Sequence, residues 1–194
     1  MTRRVVHIHW MSELPPAMTV STMFHFIATG DLKLMRKLNN WRAPKWIRLW
    51  ALAATRAGDG WLWGLIGIAI LLFGREGRWI AVAAAGSAAL VGAALFVSLK
   101  RVSGRKRPCE IEPHCWATLL PPDRFSFPSG HTITAFAVSV TLGQFYPVLL
   151  PFLLFCAVSI ALSRILLGMH FFSDVLAGAA LGAVLGIGAY IVFA

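Results

Sequence analysis

Apolar residues fall into five blocks along this chain, at about residues 61–73, 79–99, 131–146, 148–167 and 171–193, with short breaks between them except after the second, where a polar loop runs from Lys100 to Phe127. A hydrocarbon core about 30 Å thick takes roughly 20 helical residues at about 1.5 Å each, so the first block is short and the others are near spanning length. Small residues concentrate in the second and last, as in Ala83-Ala84-Ala85-Gly86 and Gly178-Ala179-Ala180-Leu181-Gly182. In lipid, such stripes let helix backbones approach closely, which places these two helices inside a bundle.

Ahead of the polar break Gly58-Asp59-Gly60 the pattern is different. Lys33, Arg36, Lys37, Arg42, Lys45 and Arg48 interleave with Leu34, Met35, Leu38, Trp41, Trp46, Ile47 and Trp50, with Pro44 dividing the stretch into two short helices. Tryptophans at headgroup depth and cations toward anionic lipid suit a segment lying on the bilayer. An amphipathic hairpin packed on the bundle is the alternative. Residues 1–31 read as a tail, whose stretch before Met18 is disordered or upstream of the true start. No cleavable signal is expected, because His7, His9, Glu13 and two prolines occupy the place of its apolar core. The predicted architecture is therefore all-α, a multi-pass transmembrane bundle of about five spanning helices. Its divisions are a tail at 1–31, an interfacial amphipathic segment at 32–58 and a transmembrane domain at 59–194.

Composition agrees: 58% hydrophobic against 13% charged residues excludes an ordinary soluble domain. The formal charge of +10 raises nucleic acid as a partner, but no recognition module is visible and the cations flank apolar spans. Membrane lipids and a lipid phosphate substrate are the expected partners, and no nucleic acid.

If the five helices alternate, Lys100, Arg107, Ser129, His131, Arg164, His170 and Asp174 share one end of the bundle. Ionisable groups at membrane depth are costly and mark function or a buried pair. Taken singly, Lys100 and Arg101 read as snorkelling anchors, and Arg105-Lys106-Arg107 as a solvated basic run. Arg164, after an apolar run, calls for an anionic partner. His170 and Asp174 are four apart, one helical turn, so a carboxylate there can orient an imidazole for attack. Pro128-Ser129-Gly130-His131 opens the third helix block, where free N–H groups of Ser129 and Gly130 bind anions. His131 then acts as cation or general acid, although an N-cap serine beside a histidine explains that segment alone. All together, these groups form a phosphoryl-transfer site.

Three motifs occur in order: Lys100-x6-Arg107-Pro108, Pro128-Ser129-Gly130-His131 and Ser163-Arg164-x5-His170-x3-Asp174. From about residue 59 onward the chain resembles the type 2 phosphatidic acid phosphatase superfamily. The resemblance implies a bacterial membrane-bound lipid phosphatase working through a phosphohistidine, with no cofactor and no metal. His170 would attack phosphorus, Asp174 would hold it, and His131 would protonate the leaving group. Lys100, Arg107, Arg164, Ser129 and Gly130 would hold the phosphoryl oxygens. Undecaprenyl diphosphate comes first among the implied substrates, beside phosphatidylglycerophosphate, phosphatidic acid and lipid A phosphate. A lipid phosphotransferase, or a non-catalytic lipid-binding or transport protein, would use the same groups.

The implied location is the bacterial inner membrane. Of 18 Lys and Arg, nine precede Trp61 and seven lie at the site end, which by the positive-inside tendency turns the site to the cytoplasm. Many relatives work on the outer leaflet, and that favours the periplasmic face. A Cys109–Cys115 disulfide would support it, and Cys156 is expected in the core. A metal site from Cys109, His114, Cys115, Glu110 and Glu112 fits no common zinc spacing.

Overall fold

A computed structural model describes residues 20–112 and 125–194, with side chains from residue 26 onward. Eight α-helices follow in order among the described residues: α1 (Val20–Asn39), α2 (Lys45–Ala57), α3 (Trp61–Phe73), α4 (Arg78–Ser103), α5 (Pro108–Ile111), α6 (Gly130–Phe145), α7 (Leu150–Leu166) and α8 (Phe172–Phe193). The described residues are all-helical, as the apolar blocks predicted. Pro44 stands at the N-cap of α2 and separates it from α1.

By length and apolarity α4, the stretch Pro147–Leu166 and α8 can each cross a membrane alone. At 13 residues α3 is too short, and it qualifies only together with α2, across a bend of 63°. The first expected span is thus half of a broken pair. The 16-residue α6 is also below that length, but it packs against α4, α7 and α8 on its different sides. Its buried Ser139 and Thr141 hydroxyls bond to the Leu153 and Ala137 carbonyls, so its polar groups are satisfied within protein. The core runs between these helices through Trp63, Ile70, Ala81, Ala85, Val138, Leu142, Leu153 and Ile160.

The expected boundary at residues 31/32 falls inside α1, which starts at Val20. Asp31 accordingly belongs to a helix, and its buried carboxylate accepts the Ser173 backbone N–H at 3.1 Å at the start of α8. Farther along, α2 packs against α7 with Ala51, Ala54 and Thr55 buried.

Two glycines aim the ends that matter. Gly104 (φ 57°) stops α4 just after Lys100, and Gly168 (φ 65°) turns the chain out of α7 just before His170. Both lie in the left-handed region, where a side chain would be strained.

Candidate active site

Beyond Gly168, the Met169 and His170 amides both donate to the Arg164 carbonyl, at 3.0 and 3.1 Å. This tight turn buries the His170 ring between α7 and α8. Ser126 reaches the same point because its amide donates to the Arg105 carbonyl at 2.7 Å and Phe125 bridges to Lys106, clamping the two ends of the polar loop together.

His170 Nδ1 lies 2.5 Å from the Ser126 carbonyl oxygen, and Nε2 lies 3.3 Å from Arg107 Nη1. A carbonyl only accepts and a guanidinium only donates. Nδ1 must therefore carry the proton and Nε2 the lone pair. Burial above all, reinforced by the Arg164 and Arg107 charges and opposed by Asp174, pushes the His170 pKa down to about 4. The ring is a free base at neutral pH.

Asp174 does not bond the ring as the spacing predicts. Its Oδ2 stands 3.8 Å from Nδ1, a charge contact, while Oδ2 accepts the Phe171 amide at 2.8 Å and Oδ1 accepts Arg105 Nη1 at 2.6 Å. The spacing does bring the two side chains together, but α8 begins only at Phe172, so His170 precedes the helix and Asp174 caps its N-terminus instead of bonding the ring. Arg105 is likewise no solvated cation. It joins Asp174 to Asp31, 2.6 Å from each carboxylate, with its guanidinium over the Phe171 ring.

Lys100, Arg107, Gly130, His131, Arg164 and His170 line one cavity of about 370 Å³. Lys100 Nζ lies 4.4 Å from the Phe96 ring centre, a cation–π contact that draws it over the cavity wall. Arg164 Nη1 donates to Thr55 Oγ1 at 2.5 Å. Ser129 is outside this lining. It is buried, its hydroxyl accepts from Thr132 at 2.9 Å, and its amide donates to the Asp174 carbonyl at 3.2 Å. That amide is spent on tying α6 to α8, which corrects the expectation that it is offered to an anion.

The sequence reading missed Ser126, Asp59, Thr55, Arg105 and Asp31. One signal was available for the acids: Asp and Glu number only 8 in a chain of 18 Lys and Arg, so each acid has a choice of cations. His114 and Cys115 lie outside the described residues, and with them the disulfide and metal expectations.

A membrane-embedded helical bundle with two histidines and three long cations around one cavity at its end has the architecture of a lipid phosphatase. The chain belongs to the PAP2 superfamily, whose model matches residues 77–194. It is 40% identical over 128 residues to decaprenylphosphoryl-5-phosphoribose phosphatase of Mycobacterium tuberculosis, covering 66% of this chain and 68% of that protein. Among solved structures, Aquifex aeolicus LpxE superposes with a TM-score of 0.68 at 30% identity, over 81% of this chain and 93% of that one. The transmembrane PAP2-type phosphatidylglycerolphosphate phosphatase of Bacillus subtilis gives 0.66 at 26% identity, over 84% of each. The chain is a bacterial membrane lipid phosphatase.

Proposed function

We propose that this phosphatase removes the terminal phosphate of a lipid-linked sugar or polyol through a phosphohistidine at His170. The observation that carries the mechanism is the locked tautomer. Nε2 holds its lone pair in a cavity ringed by Lys100, Arg107 and Arg164, with His131 on the same wall. A bound phosphate offers Arg107 an anionic acceptor in place of the imidazole, which frees Nε2 to attack. The new N–P bond forms as the ester P–O bond breaks, and His131 gives its proton to the departing oxygen. Water then attacks phosphorus, His131 takes its proton, and phosphate leaves with His170 restored. The cations and the Gly130 amide hold the charge of the transition state. Asp174 supports the ring through its charge and through the helix cap.

The substrate class is suggested by the relatives, one named for decaprenylphosphoryl-5-phosphoribose and one for phosphatidylglycerolphosphate. In detergent, the purified chain should release phosphate from both, faster than from undecaprenyl diphosphate, phosphatidic acid or lipid A phosphate. Vanadate should inhibit and a chelator should not. Faster release from undecaprenyl diphosphate overturns the substrate class, and loss with chelator restored by added metal overturns the metal-free mechanism. In this reading the site faces the periplasm, so intact spheroplasts act on added short-chain substrate. Release only after lysis overturns that orientation.

The His170 pKa near 4 gives a pH prediction. The free base persists as pH falls from 7 to about 5, so protonation of His170 puts no acid limb on kcat/KM, corrected for substrate ionisation, until near pH 4. The unfolded chain binds that proton near pH 6.5, so stability decreases as pH falls from about 6.5 toward 4. An acid limb of kcat/KM at 6 to 7 contradicts the assignment.

A further inference from the structure

The Gly58-Asp59-Gly60 turn between α2 and α3 lies outside the residues that the family model matches, yet all three residues line the phosphate cavity. Asp59 Oδ1 stands 2.9 Å from His131 Nε2. We propose that Asp59 is the positioning residue of His131: its carboxylate holds the ring by Nε2, leaving Nδ1 to deliver the proton to the departing oxygen and to take one from water. The inference rests on the phosphohistidine reading and adds to it which nitrogen of the second histidine works, and why.

The geometry leaves one arrangement. A carboxylate only accepts, so Nε2 carries a hydrogen in either charge state of the ring. The proton that comes and goes is then the one on Nδ1. In the first step Nδ1–H protonates the leaving alkoxide and the ring becomes neutral. In the second, the Nδ1 lone pair takes a proton from the water that attacks phosphorus as the N–P bond breaks, and the ring returns to its starting form. No proton has to pass through Asp59.

The turn is also built against the ring. A Cβ on Gly58 would stand 2.9 Å from His131 Cδ2 and 2.8 Å from Ile160 Cγ2. Gly58 has ordinary helical angles (φ −69°, ψ −11°), so space and not conformation demands a glycine there. Gly60, at φ 112°, bends the chain and starts α3. The Asp59 amide donates to the Arg56 carbonyl at 3.1 Å, which sets the carboxylate's direction. The Arg56 side chain is 3.7 Å away and exposed, a contact that contributes little.

Leaving-group dependence tests the assignment. The full chain in detergent is compared with Asp59→Ala, Asp59→Asn and Gly58→Ala on an alkyl lipid phosphate and on p-nitrophenyl phosphate. Nitrophenolate leaves without a proton, and an alkoxide does not. Asp59→Ala should lower kcat/KM on the alkyl ester about 10- to 100-fold, within the range of general acid catalysis, and change it less than about threefold on the aryl ester. Gly58→Ala should show the same selective loss. Asp59→Asn keeps a carbonyl acceptor for Nε2–H and should recover most of the activity.

Equal losses on both esters mean a merely structural turn and overturn the inference. So does a lower KM on both at unchanged kcat, which would make Asp59 only an anion that repels phosphate. Alkaline quenching of the wild-type chain separates the levels. Turnover without phosphohistidine overturns the mechanism and the inference with it, whereas phosphohistidine formed alongside equal losses overturns the inference alone.

Discussion

His170→Asn should reduce phosphate release at least about a thousandfold while leaving the protein folded, because it removes the nucleophile and little else. The asparagine amide nitrogen takes roughly the place of Nδ1 and can still donate to the Ser126 carbonyl, now 2.5 Å from the ring. Nothing replaces Nε2. His170→Ala is a harsher variant, since it also strips the Ser126 carbonyl of its donor and opens a void between α7 and α8. An unsatisfied buried carbonyl alone costs about 1–3 kcal/mol. The asparagine variant therefore separates chemistry from stability. Phosphate release, thermal unfolding in detergent and phosphohistidine trapping are the three readings. Turnover retained in a folded His170→Asn chain removes His170 from the mechanism.

The parts of this site that were legible in the sequence are those where a charged or polar side chain interrupts an apolar run. Lys100, Arg164 and His170 stand at ends of helices whose hydrophobicity is plain, and the cavity gathers them as alternation of the helices predicts. Asp174 shows the limit of spacing arguments. Four residues separate it from His170 in either case, but one turn of helix is implied only if both belong to the helix, and α8 starts between them. Ser126 was beyond reach, because a backbone carbonyl has no residue signature and this one is aimed by a loop clamp. Asp59 looked like part of a flexible break, since two glycines flank it and its partner is on another helix. The start of α1 was legible and missed: Val20, Met23, Phe24 and Ile27 keep a helical spacing, whereas the bonds from Ser173 and Arg105 to Asp31 that anchor the helix are tertiary.

Gly182→Val should cost the chain its fold, a larger structural effect than any single change at the cavity. A Cβ at position 182 would lie 2.4 Å from the Ile133 carbonyl oxygen, 2.9 Å from Phe136 Cβ and 3.0 Å from the Ala137 amide nitrogen. Two of the three are backbone atoms of α6, which no rotamer change can move aside. Gly178 and Gly186, one turn away on either side, meet the Ser129 and Ala137 carbonyls at 2.9 and 2.7 Å in the same way. The stripe is thus a seam of direct backbone contact between α6 and α8. Overpacking a core costs typically about 1–3 kcal/mol where side chains can yield, and here the helices themselves must part, so the loss should exceed about 3 kcal/mol. The seam also sets the site, because the Ser129 amide bonds to the Asp174 carbonyl across it, at 3.2 Å. Separating the helices pulls the N-terminus of α6, with Gly130 and His131, away from the start of α8, with Asp174 and its hold on His170. Gly188→Val is the matched control, on the same helix with nothing within 4 Å of its Cβ. Thermal unfolding and size-exclusion profiles in detergent should show Gly182→Val unfolded or aggregated and Gly188→Val close to wild type. Equal stability of the two variants would mean that α6 and α8 are not in backbone contact, and the placement of His131 relative to His170 would lose its support.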